Sequence, residues 1–278
     1  LGAVGSFVRK KPVAALGVLI ILAWALVAAA APLVAPYDPL AIDHGARFRP
    51  PSREFLLGTD NFGRDVLSRT LYGARVSLYV GFMVVLFADT AGCILGVISG
   101  YLGGRFDFLF QRLVDAFMAF PMLILALTIV AVLGPSINNV VLAIAVVETP
   151  RQGRVIRAVA LAVKQNVYIE AARAVGCREG RIILRHVLPQ CMAPYLVMAS
   201  ISLGWAIVVE ASLSFLGLGT PPPLPSWGNM LGGFGREFAE TAPWMALAPG
   251  IAITLLVLAI NLLGDALRDV LDPRLRRL

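Results

Sequence analysis

Long uncharged apolar runs, separated by short polar segments, recur along this chain. Ala116 to Val147 is 32 residues without one Asp, Glu, Lys or Arg. Pro12 to Tyr37 and Thr241 to Gly264 are equally free of charge, Val76 to Gly104 is interrupted only by Asp89, and Cys191 to Leu218 only by Glu210. About 20 consecutive apolar residues cross a bilayer core. Inside hydrocarbon every backbone N–H and C=O needs an internal partner, which a helix supplies within one segment. The runs therefore predict an all-α membrane protein. Composition agrees: 15% of residues are charged, against about 25% in soluble domains.

Six transmembrane helices are expected. The first is Pro12 to Tyr37, preceded by Arg9-Lys10-Lys11; a signal peptide is the rival reading, but its apolar core is usually about 7–15 residues. The second is Val76 to Gly104, where Gly92, Gly96 and Gly100 recur every four residues and let another helix approach closely. Gly134-Pro135-Ser136 divides the 32-residue run. A third span covers about Phe110 to Leu133, with a kink at Pro121. The fourth, about Val140 to Thr149, is short unless it starts in the Ser136-Ile137-Asn138 turn or passes Pro150. Glu148 and Arg151 are read as its exit. Cys191 to Leu218 is the fifth span and Thr241 to Gly264 the sixth. Residues 1–75 thus form a first helix plus an extramembrane segment, 76–264 a five-helix core, and 265–278 a tail. Asp65 to Arg75 reads as a helix start at the outer interface. Trp227 and Trp244 suit an interfacial belt.

Charge placement orients the bundle, because loop Lys/Arg resist translocation. With both termini cytoplasmic, 17 of the 24 basic residues lie on the inner side. The net charge of +7 resides in these membrane-flanking segments, which implies a lipid bilayer and no nucleic acid as partner. Cys93, Cys177 and Cys191 show no paired spacing and imply no disulfide.

The most charged stretch is Glu170 to Pro189, inside a loop at about 150–190. Ala171, Ala172 and Ala174 sit in a helix that runs into Gly176, which takes a left-handed conformation at little steric cost and ends it. A second short helix, roughly Glu179 to Leu188, ends at Pro189. Such a hairpin on the inner face offers a grip to a soluble partner; a solvated loop without a partner is the alternative.

Glu170-Ala171-Ala172, Gly176 and Leu188-Pro189, at this spacing, resemble the EAA loop of bacterial ABC-importer permeases. That pattern usually has an aliphatic residue where His186 stands, but Arg185-His186 is similar to the dipeptide/oligopeptide/nickel branch. Leu57 to Leu78, Glu210 to Gly228 and the C-terminal Asn261 to Leu278 resemble the same branch. The resemblance implies a type I ABC-importer permease fold with coupling residues Glu170, Ala171, Ala172, Gly176, His186, Leu188 and Pro189. It implies a second homologous permease subunit, two ATPase subunits, an extracytoplasmic substrate-binding protein and the bacterial inner membrane. The cargo would be di- or oligopeptides or nickel.

Asp89 and Glu210 are costly inside a membrane helix. Each is a candidate for the translocation path or for a hydrogen bond that anchors neighbouring segments. The sequence has no GxxxxGK[ST], HExxH or GxSxG pattern. No catalytic residue, metal site or bound cofactor is therefore expected in this chain; ATP and magnesium would be used by partner ATPases. A stand-alone secondary transporter or channel is the alternative, although no internal repeat is visible.

Overall fold

The computed structural model describes residues 12–271, so Arg9-Lys10-Lys11 and residues 272–278 lie outside the described residues. Helix α1, Pro12–Val34, lies on the last helix, α10 (Trp244–Leu271), where a Cβ on Gly17 would come within 2.7 Å of the Ala259 carbonyl oxygen. Helix α2 is Val66–Leu102. Its start corrects the expectation for residues 65–75: they are not a separate interfacial element but the first turns of the second span. Asp65 is the reason, since its carboxylate accepts the Ser68 N–H at 2.7 Å and caps the helix there.

α2 meets α5, Ile137–Lys164, along the three spaced glycines. Cβ atoms at Gly92, Gly96 and Gly100 would fall 2.8, 2.5 and 2.6 Å from the carbonyl oxygens of Thr149, Gly153 and Arg157. Only hydrogen fits in that seam, so the two helices touch backbone to backbone.

Between them, α3 (Gly104–Met118) and α4 (Met122–Leu133) meet at 89°. The kink expected at Pro121 is thus a near-right-angle break, and Pro121 directly precedes the new helix. α5 begins at the Ser136 cap, whose hydroxyl accepts the Asn139 N–H at 3.1 Å, and runs through Pro150 to Lys164. The helix expected over about residues 140–149 therefore extends in both directions.

A short helix α6, Val167–Ala174, leads through a turn into α7, Glu179–Phe215. The helix expected to stop at Pro189 instead continues into the fifth span. A π turn at Ile183–Val187 precedes Pro189, and the Leu188 N–H reaches back to the Ile183 carbonyl. That slack accommodates a residue with no N–H to give. A second π turn, Val85–Asp89, interrupts α2.

Helices α8 (Trp227–Leu231) and α9 (Phe234–Glu237) fold back over one end of the bundle. There Trp227 is fully buried: its indole N–H donates to the Thr70 carbonyl at 2.8 Å, and its ring stands edge-on to Trp24 at 5.0 Å. Trp244 donates to the Thr59 carbonyl at 3.0 Å. The Trp227 indole thus fastens α8 to α2, and the Trp244 indole fastens the loop at Thr59 to α10; full burial corrects the expectation of an interfacial belt for Trp227, because a buried indole N–H seeks a protein acceptor.

Among the described residues, α1, α2, α7 and α10 are long and apolar enough to cross a membrane, and the bent pair α3–α4 makes a fifth if counted as one. α5 has the length but carries Glu148, Arg151, Arg154, Arg157 and Lys164. It can do so because α2, α3, α4 and α7 all pack against it.

Candidate functional site

The hairpin Val167–Leu188 stands at the end of the bundle opposite Trp227, and local hydrogen bonds set its shape. The Cys177 N–H donates to Ala172 O at 3.0 Å and the Gly176 N–H to Arg173 O at 2.9 Å. This paired closure needs a left-handed residue at its apex, and Gly176 has φ +80°. Nothing lies within 4 Å of where a Gly176 Cβ would be, so the requirement is one of backbone shape and not of room.

Ile169 and Ile182, both fully buried, root the two arms in a cluster with Val97, Ile156, Ala160 and Val187. Each such burial contributes about 1.5–3 kcal/mol. The opposite side presents Val167 and Val175, each 79% exposed, and Leu184 at 68%. Glu170 is exposed in the first turns of α6, and no hydrogen bond or ion pair holds its carboxylate among the described residues. Ala171 is exposed and Ala172 half-buried against the root. The His186 ring lies 6.3 Å from that of Tyr168, Leu188 packs on the root cluster, and Pro189 is exposed at the start of the straight part of α7. Of the seven EAA-type positions, Glu170, Ala171, Gly176 and Pro189 are exposed, His186 is half-buried, and Ala172 and Leu188 pack inward on the root.

Asp89 and Glu210 are elsewhere, and each is buried. Glu210 Oε1 accepts from the Ser214 hydroxyl at 2.7 Å and Oε2 from Ser77 at 3.3 Å, while Ser214 Oγ accepts the Thr220 N–H at 3.2 Å. It ties α2, α7 and the loop before α8. Asp89 lies deeper, at the end of its π turn. The Ser202 hydroxyl of α7 is 3.0 Å from both Asp89 Oδ1 and Glu148 Oε1, with one proton to donate between them. Arg151 Nη1 is 3.7 Å from Glu148.

Sequence reasoning read Glu148 as a helix exit; it is instead 1% exposed at the centre of α5, because that helix is ringed by protein. Gln152, one turn on, is fully buried, and neither of its amide atoms is hydrogen-bonded among the described residues. The i, i+4 spacing of Glu148 and Gln152 on one helix face was the available signal. Tyr101 was also missed. It is 2% exposed at the end of α2, and its hydroxyl donates to Glu179 Oε2.

Similarities to two family models and to three curated proteins bear on this arrangement. Residues 92–277 match the family described as binding-protein-dependent transport system inner membrane component. Residues 8–51 match the N-terminal TM domain of oligopeptide transport permease C. Among curated proteins, the chain is 44% identical to a dipeptide transport system permease of Alkalihalophilus pseudofirmus, over 96% of this chain and 88% of the relative. It is 42% identical to a dipeptide transport system permease of Haemophilus influenzae, over 98% and 94%. It is 41% identical to a glutathione transport system permease of Pectobacterium atrosepticum, over 97% and 89%. The hairpin, the α2–α5 glycine seam and α10 all fall within the matched residues, and the chain belongs to the family of binding-protein-dependent transport system inner membrane components.

Proposed function

We propose that this chain is one of two permease subunits of an ATP-driven importer and forms half of its translocation channel. Peptides are the favoured cargo, in keeping with the dipeptide and glutathione permeases it resembles; nickel is the second cargo class suggested by the shared motif blocks. The observation that carries the reading is the hairpin at 167–188. A soluble partner explains a rigidly rooted tip with exposed Val167, Val175 and Leu184 beside an uncommitted Glu170. In this reading α1, α2, α3–α4, α5, α7 and α10 are six spans. Both ends and the hairpin face the cytoplasm, where two ATPase subunits dock and use ATP with magnesium. The loops around Trp227 face outward toward an extracytoplasmic binding protein, in a bacterial inner membrane. The chain itself hydrolyses nothing.

Purifying the assembled complex tests this. ATPase subunits should co-purify, uptake in proteoliposomes should require ATP, and the lone chain should neither hydrolyse ATP nor transport. Identifying the ligand of the associated binding protein decides between peptide and nickel. Transport by the lone chain on a proton gradient would overturn the reading.

A further inference from the structure

Tyr101 occupies the last turn of α2, yet its contacts reach three other elements. Its hydroxyl donates to Glu179 Oε2 on the first residue of α7 and accepts from Arg173 Nη2 of α6 at 3.2 Å. Arg173 Nε lies 3.4 Å from Glu179 Oε1, so the triangle is closed. Lys164 Nζ, at the end of α5, stands 5.7 Å from the Tyr101 ring centroid, and the Arg173 guanidinium carbon 5.5 Å. One buried phenol thus joins both arms of the hairpin to the ends of α2 and α5. Ile169, Ile182 and Val187 already give the hairpin an apolar root, so the phenol is not needed merely to attach it.

Movement at this point has a defined route. From Thr90 to Leu102, α2 is fused to α5 through the glycine seam, a rod about 20 Å long at 1.5 Å per residue. At its far end is the π turn Val85–Asp89, with the Asp89–Ser202–Glu148 contact. π turns mark places where a helix yields.

We infer that Tyr101 is a positioning residue that transmits displacement of the 167–188 hairpin to the α2–α5 pair, so that ATP-driven movement at the hairpin shifts the rod about its π turn. This rests on the reading of the hairpin as the ATPase docking element, and it concerns what happens after docking.

The test uses the complete complex with its binding protein in proteoliposomes and compares wild type with Tyr101→Phe. Phenylalanine keeps the ring, its packing and the cation contacts, and loses only the hydroxyl. ATPase co-purification and hydrolysis should persist, while substrate moved per ATP falls about tenfold, within the usual size of a coupling between sites. A wild-type transport-to-hydrolysis ratio in Tyr101→Phe, or loss of ATPase capture in that variant, overturns the latch. If the wild-type complex captures no ATPase, the docking reading itself falls.

Discussion

Gly176→Val separates backbone shape from every other property of the hairpin. At φ +80° an L-residue costs roughly 1–2 kcal/mol, more for a β-branched one. No steric term adds to this, because nothing lies within 4 Å of the new Cβ. The whole cost falls on the closure at Ala172 and Arg173, where two backbone hydrogen bonds of 3.0 and 2.9 Å compete with unwinding. About 1.4 kcal/mol is a tenfold change in the closed fraction. Val at 176 should therefore reduce capture of the ATPase subunits by about tenfold or more. Membrane abundance should stay unchanged, since Ile169 and Ile182 still hold the arms. Gly176→Ala should show a weaker defect, and Gly176→Asn weaker still, because asparagine tolerates the left-handed region. The assay is co-purification of the ATPase with each variant, normalised to permease in the membrane, beside ATP-dependent uptake. Full capture and uptake by Gly176→Val would refute the reasoning, and so would a parallel loss by the asparagine variant.

Other expectations are independent. Glu170→Lys should abolish ATPase capture while Glu170→Ala lowers it, because truncation at an interface strands a charged partner at about 2–5 kcal/mol; wild-type capture by both variants would show that the carboxylate is not read. Gly96→Ala puts a methyl 2.5 Å from the Gly153 carbonyl oxygen and should destabilise the bundle by about 1–3 kcal/mol, measurable by denaturant titration in mixed micelles; an unchanged midpoint would mean the seam opens freely. Ser202→Ala should also destabilise, by about 1–3 kcal/mol, since the junction of Asp89 and Glu148 loses its donor. Arg178→Cys in sealed cells should resist outside labelling, and ready labelling would reverse the proposed orientation.

The sequence by itself determined the helical membrane class, the glycine stop at 176 and the small-residue seam at Gly92, Gly96 and Gly100. Each rests on a local or strictly periodic property: run length, conformational freedom at one residue, or spacing along one helix face. Tertiary structure decided the rest. Whether Glu148 is an exit or a core residue depends on how many helices surround α5, and no window along the chain records that. α2 starts ten residues before the apolar run because the Asp65 cap and buried Trp227 make a polar stretch helical. α7 passes Pro189 because a π turn before it takes up the missing N–H. Tyr101 finds Arg173 and Glu179 at separations of 72 and 78 residues. Hydrophobic periodicity specifies which faces are buried, but the partner of a buried polar group is set by the packing of whole helices, and that exists only once they assemble.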